Sequence, residues 1–126
     1  GGSAHFAKSK CVAVGASAGV RNNTKCVAVG ANAALYIEGE GNVAIGMDAM
    51  NNYDVDGKNN ICIGHLAKLH SKSTPAVIEN SIAIGYNVKT SDSNQIIIGS
   101  SSHTVVEIAG KRIIFNEDGS VTWEQV

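Results

Sequence analysis

A short apolar motif recurs along the chain, and each copy is closed by a glycine. Aligned on six glycines, the copies are Cys11-Val-Ala-Val-Gly15, Cys26-Val-Ala-Val-Gly30, Asn42-Val-Ala-Ile-Gly46, Asn60-Ile-Cys-Ile-Gly64, Ser81-Ile-Ala-Ile-Gly85 and Gln95-Ile-Ile-Ile-Gly99. Val or Ile stands three residues before every glycine and again one residue before it. Between them come Ala, Ala, Ala, Cys, Ala and Ile. Three residues after the first five glycines is another apolar position: Ala18, Ala33, Ala49, Ala67 and Val88. Chance does not give six such copies in so short a chain, and self-similarity on this scale marks a repeat architecture.

The glycines are 15, 16, 18, 21 and 14 residues apart. That spacing is too short for a helix-turn-helix unit. It suits one rung of a β-solenoid, with two short strands and two turns. The β-branched residues favour strand over helix, and each glycine can take the backbone conformation of a bend. Arg21-Asn22-Asn23-Thr24 and Lys58-Asn59-Asn60 close rungs, because Asn tolerates positive φ and bonds its own backbone. The predicted fold is all-β, a parallel β-solenoid (β-roll) of about six short rungs.

Period-2 geometry sends both Val residues of Val-Ala-Val to one face and Ala to the other. The large residues are expected to fill the coil and the small ones to face outward. A strand apolar on both faces has a partner on both faces, and for a thin coil that partner is another chain. The reading is therefore a parallel homotrimer with Ala13, Ala28, Ala44, Cys62, Ala83 and Ile97 at its interface. A monomeric coil with an Ala-lined exterior is the alternative.

Longer excursions interrupt rungs two to four, at Ala34 to Glu40, Asn51 to Lys58 and Lys68 to Glu79. Insertions of this kind tend to fall on one face of a repeat protein, often the binding face. Tyr36, Tyr53, Asp54, His65, His70 and Lys72 lie in or beside them and are the expected receptor contacts, able to stack on sugar rings or hydrogen-bond a glycan. After Gly99 the pattern changes. Thr104-Val-Val-Glu-Ile-Ala109, Lys111-Arg-Ile-Ile-Phe115 and Ser120-Val-Thr-Trp123 read as strands, with Asn116-Glu-Asp-Gly119 as a turn. This end is expected to form a hairpin or stalk that caps or continues the coil. The predicted organisation is a lead-in over 1–8 that begins with a tag-like Gly1-Gly2-Ser3, the repeat over 9–102, and the C-terminal strands over 103–126.

Composition narrows the function. Of 126 residues 17% are charged, with a net charge of -1, so a binder of phosphate backbones is not expected. No apolar run approaches the roughly 20 residues of a membrane-spanning helix, and neither membrane insertion nor a nucleic-acid partner is predicted. Hydrophobic residues make up 44% of the chain and are strongly patterned, which argues against disorder. Three cysteines with no C-x-x-C pair do not make a disulfide framework. All three sit in apolar runs, where free Cys acts as a small hydrophobe.

Candidate chemistry is sparse. Asn52-Tyr-Asp54-Val-Asp56-Gly57 resembles the first half of a calcium loop, but Ile63 stands where the bidentate Glu belongs. His65 and His70 have no Cys at a zinc spacing. Ser101-Ser102-His103 and Glu107 contain the residue types of a triad without a nucleophile elbow. Paired acids for glycoside hydrolysis would come from Asp48, Asp54, Asp56 and Glu79. No cofactor, metal or catalytic residue is expected.

The rungs Asn42-Val-Ala-Ile-Gly46-Met-Asp-Ala49 and Asn80-Ser-Ile-Ala-Ile-Gly85-Tyr-Asn-Val88 carry a family resemblance. They are similar to the S-x-A-I-G-x-x-A repeat of trimeric autotransporter adhesin heads, which is also found in bacteriophage tail fibres and tailspikes. The resemblance covers about residues 9 to 102 and implies a left-handed parallel β-roll with three chains side by side. Asn94-Gln-Ile-Ile-Ile-Gly99 followed by Thr104-Val-Val-Glu-Ile-Ala-Gly110 looks like the segment before the intramolecular chaperone of phage fibres. The basic, Val-rich neck of the adhesins is not visible, and the insertions are uneven. The resemblance thus implies a non-enzymatic structural and receptor-binding module of a virion tail fibre that attaches to host surface polysaccharide or lipopolysaccharide. A bacterial surface adhesin head and the stalk of a polysaccharide-degrading tailspike are the alternatives.

Overall fold

A computed structural model of the chain describes residues 10–19, 23–52, 55–70 and 76–125. The strands in order are β1 (Val12–Val14), β2 (Asn23–Thr24), β3 (Val27–Val29), β4 (Gly39–Glu40) and β5 (Val43–Ile45). Next are β6 (Val55–Lys58), β7 (Ile61–Ile63), β8 (Lys68–Leu69), β9 (Ala76–Glu79) and β10 (Ile82–Ile84). Then come β11 (Lys89–Thr90), β12 (Ile96–Ile98), β13 (Val105–Ile108), β14 (Lys111–Phe115) and β15 (Val121–Gln125). The fold is all-β, a parallel β-solenoid followed by a small antiparallel sheet.

Each copy of the sequence motif is one strand of a single wall. β1, β3, β5, β7, β10 and β12 stack in that order, all parallel. Their register is strict, so equivalent residues form columns. One is Val12, Val27, Val43, Ile61, Ile82, Ile96. Beside it run Ala13, Ala28, Ala44, Cys62, Ala83, Ile97, and then Val14, Val29, Ile45, Ile63, Ile84, Ile98. A second wall is built from β2, β4, β6 and β9, which precede β3, β5, β7 and β10 and pair β2–β4 and β6–β9. About four turns carry both walls. β8 and β11 add a short parallel pair after the corner that follows the glycine.

Two corners of each turn use left-handed backbone. The residue five before each motif glycine has positive φ in all six copies: Lys10, Lys25, Gly41, Asn59, Asn80 and Asn94. So does the residue two after each of the first five: Ser17, Asn32, Asp48, Leu66 and Asn87. Asn, which tolerates this region best after Gly, fills five of these places. The motif glycine has a different reason. At Gly30 φ is +127°, and a Cβ would lie 2.7 Å from the Gly46 carbonyl one turn on. Stacked turns leave no room there for a side chain.

The structure inverts the expected facing of the strands. Ala28, Ala44, Cys62 and Ala83 are fully buried inside the coil, with Ala13 and Ile97 packed against the same core. They do not face a neighbouring chain, as the pattern suggested. The Val and Ile columns point outward. Val12, Val14, Ile45, Ile96 and Ile98 are exposed and the rest of the two columns half-buried. The reason is the thinness of the coil. Ala18, Ala33, Ala49, Ala67 and Val88 turn inward from the corner and are buried in the same cluster. These two columns pack into one close-packed cluster that takes Ala or Cys in most turns and a branched residue only toward the C-terminal end, at Val88 and Ile97. The larger interior residues, Ile37, Met50, Leu69 and Ile78, complete the same cluster.

A polar column also lies inside. Asn42 and Asn60 are buried just before their strands and link successive turns. Asn42 Nδ2 donates to the Gly57 carbonyl at 2.8 Å, and Asn42 Oδ1 accepts from the Asn60 amide at 3.1 Å. Asn60 repeats the pattern, donating to the Ile78 carbonyl at 2.7 Å and accepting from the Ser81 amide at 2.9 Å and hydroxyl at 3.0 Å. Orphaning a buried polar group costs about 1–3 kcal/mol. Asn60→Ala strips the Ile78 carbonyl and the Ser81 amide of their side-chain partner. It is expected to lower unfolding stability by roughly 2–4 kcal/mol, read from the urea midpoint.

β13, β14 and β15 form an antiparallel meander. Its register puts Val106, Ile108, Ile113, Phe115, Val121 and Trp123 on one face. Glu107, Arg112 and Glu124 stand on the other, where Arg112 Nη2 lies 2.8 Å from Glu107 and Nη1 3.1 Å from Glu124. Exposed pairs of this kind contribute little to stability.

Candidate functional site

Two surfaces carry the side chains able to meet a partner: a corner ridge and the outer wall. The ridge is the residue after each of the first five motif glycines. Corner amides hold it in register, with the Asn32 amide donating to the Ala16 carbonyl, Asp48 to Ala31, Leu66 to Met47 and Asn87 to His65, at 2.9–3.1 Å. Along this ridge the side chains grow from Ala16 and Ala31 to Met47, His65 and Tyr86. Met47 and His65 are exposed, and Tyr86 is 66% exposed. The His65 and Tyr86 rings lie on adjacent turns with centroids 5.5 Å apart and planes tilted by 44°. They form a two-ring platform next to an apolar Met.

The neighbouring wall adds positive charge. Lys68 and Lys89 pair in register on β8 and β11, while Leu69 and Thr90 beside them point into the core. Like charges opposite each other on a sheet repel, and no ion pair joins either lysine to an acid among the described residues. His70 follows on the same side, exposed, its amide bonded to the Thr90 carbonyl at 2.6 Å. In each of these two turns the lysine follows the ring by three residues along the chain, Lys68 after His65 and Lys89 after Tyr86.

Of the expected receptor contacts, His65 and His70 lie near this ridge. Tyr36 is half-buried before Ile37 and does not join them. Tyr53, Asp54 and Lys72 lie outside the described residues. The excursions expected as loops contribute much of the second wall, as β4, β6 and β9, and the β8 strand. Sequence reasoning missed Met47 and Tyr86, because both stand inside the repeated motif itself. The signal was there, since the residue after the first five glycines runs Ala, Ala, Met, His, Tyr.

The outer wall is the second surface. Its two aliphatic columns run the length of the coil and lead to the C-terminal sheet. Ile98 lines one hollow together with Val106 and Phe115. On the apolar face of that sheet Ile108, Phe115, Val121 and Trp123 are exposed, Trp123 by 68%. A three-stranded sheet with one bare apolar face has no core of its own, and contiguous apolar patches of this extent mark interaction sites.

The other candidate groups do not assemble into a site. Asp56 is exposed and accepts the Glu38 amide at 3.2 Å. Glu107 is engaged by Arg112, and His103 Nδ1 accepts the Ser100 amide at 2.9 Å, so the two do not form a relay. Among the described residues no three His, Cys, Asp or Glu side chains cluster as metal ligands. Burial pushes the Cys62 thiol up to about 12. Burial, and then the hydrogen bond and charge of Cys11, push Cys26 up to about 12 as well. The chain matches no protein-family model, no curated protein and no solved structure.

Proposed function

We propose that the chain is a non-enzymatic, homotrimeric module of a bacteriophage tail fibre that attaches to host surface polysaccharide. The observation that carries this reading is the outer wall. Twelve Val and Ile side chains stand in two unbroken columns on the outside of a coil whose inside is already filled. Three such walls turned toward a common axis would bury the columns against one another. The apolar face of the C-terminal sheet, adjoining at Ile98, would extend the same seam. The ridge of Met47, His65 and Tyr86 then repeats three times around the rod. Three weak sugar sites on a rigid body bind a polyvalent surface far more tightly than one. The tail-fibre assignment also draws on the resemblance of the repeat.

Two measurements test the proposal. Sedimentation at micromolar concentration is expected to give a mass three times the 13.0 kDa of one chain. Fluorescently labelled protein is expected to bind host cells saturably and to be competed off by their purified surface polysaccharide. Tyr86→Ala, an exposed change that leaves the trimer intact, is expected to weaken that binding at least tenfold. A monomer sinks the assembly, and unchanged adsorption by Tyr86→Ala sinks the ridge as the contact.

A further inference from the structure

The polar column that links the turns has a different chemistry at its start. The residue before each strand of the main wall is Cys11, Cys26, Asn42, Asn60, Ser81 and then Gln95. From Asn42 to Ser81 its members bridge turns by hydrogen bonds. In the first two turns two thiols stand in the same place, one directly above the other. The Val12 amide donates to the Cys26 carbonyl at 2.9 Å, which fixes the two backbones as in-register parallel neighbours. Such neighbours are about 4.7–4.9 Å apart, inside the Cα separation that a disulfide spans. The Cys26 thiol points at Cys11 Sγ from 2.8 Å.

We propose that Cys11 and Cys26 form an intrachain disulfide that staples the first turn of the coil to the second. The place is where a staple matters most. β1 is an edge strand, paired on one side only by β3 among the described residues. Repeat proteins open from their end units, since an end turn has a single interface to break.

The oxidant is a low-molecular-weight disulfide such as oxidised glutathione. Cys11, the half-buried member, is the entry point. Its thiolate attacks one glutathione sulfur, breaking that S–S bond and expelling one glutathione thiolate. Cys26 then loses its proton and attacks Cys11 Sγ, which expels the second glutathione. Two protein thiols are oxidised and one glutathione disulfide is reduced to two thiols. Burial of Cys26 and its raised thiol pKa make the second step slow, so it needs the proximity that the stacked turns supply. Cys62 has the same raised pKa but sits between Ala44 and Ala83 in its column, with no thiol in reach. It is the internal control.

The experiment treats the full chain with oxidised glutathione at mildly alkaline pH. It then counts thiols after denaturation, takes the intact mass and maps peptides. The expected result is a fall from three thiols to one, a mass lower by two hydrogens, and a single cross-linked peptide pair holding Cys11 and Cys26. Hydrogen exchange of the Val12 amide is expected to slow at least tenfold on oxidation. Three thiols persisting, a glutathione adduct retained on Cys11, or a cross-link that runs between chains or includes Cys62 would each overturn the staple. Cys26→Ser is expected to retain glutathione on Cys11, because the resolving thiol is gone. Loss of both glutathiones from that variant counts against the mechanism.

Discussion

Ala83→Glu is expected to unfold the coil, and to do so in the isolated chain. Ala83 is fully buried in the inward column, in register with Cys62 on one side and Ile97 on the other. A carboxylate there has no cation to pair with and too little space for its stem. Leaving an unpaired charge in a core costs about 3–5 kcal/mol, and overpacking adds about 1–3 kcal/mol. The sum rivals the whole stability of an ordinary domain, roughly 5–15 kcal/mol. The expected result is loss of the far-ultraviolet strand signal and recovery of the protein in the insoluble fraction. Ala83→Cys is the control, because the same column already holds a cysteine one turn away. It is expected to stay folded, within about 1 kcal/mol of the parent chain. A folded Ala83→Glu chain, soluble at neutral pH, would mean that the small column does not face the interior.

That variant also marks how far the sequence could be read. The repeat, the strands and the glycine corners were legible, because a Val-Ala-Val-Gly motif returning every 14–21 residues has few other physical solutions. The phase was not. Period-2 alternation says that Val27 and Val29 share a face and that Ala28 has the other. Both faces are apolar, so it does not say which one is inside. The deciding fact is the cross-section of the coil, set by the second small column at Ala33, Ala49 and Ala67. Two small columns in one repeat could have been read as two facing walls of a narrow core. The Asn residues divide in the same way. In Asn59-Asn60 the first takes the left-handed corner, as its type suggests, while the second goes inside and bridges three turns. Nothing local separates the two, because the difference arises only once turns are stacked. Of the ridge, His65 was legible as an exposed polar residue beside an excursion. Tyr86 was hidden by standing inside the motif that defines the repeat.

The wall that faces outward makes the second large effect specific. Ile63→Glu is expected to turn the trimer into a folded monomer. Ile63 is half-buried in the middle of the outer column, between Ile45 and Ile84. In a lone chain a carboxylate at that place reaches water, so the coil keeps its strand signal. In a trimer packed on this wall symmetry brings three copies to one axis. Each copy loses solvation worth about 2–4 kcal/mol without gaining a cation. Some 6–12 kcal/mol for the assembly changes its dissociation constant by about four to nine powers of ten. The midpoint of a trimer follows the square root of that constant, so it moves by about two to four powers of ten in concentration. Sedimentation at micromolar concentration then reads the mass of one chain. Val77→Glu is the matched change on the other side. Val77 is 58% exposed on β9, in the second wall, and its substitution is expected to leave the trimer whole. The converse pattern, dissociation by Val77→Glu and not by Ile63→Glu, would place the seam on the second wall. It would leave the aliphatic columns of the first without a partner of their own kind.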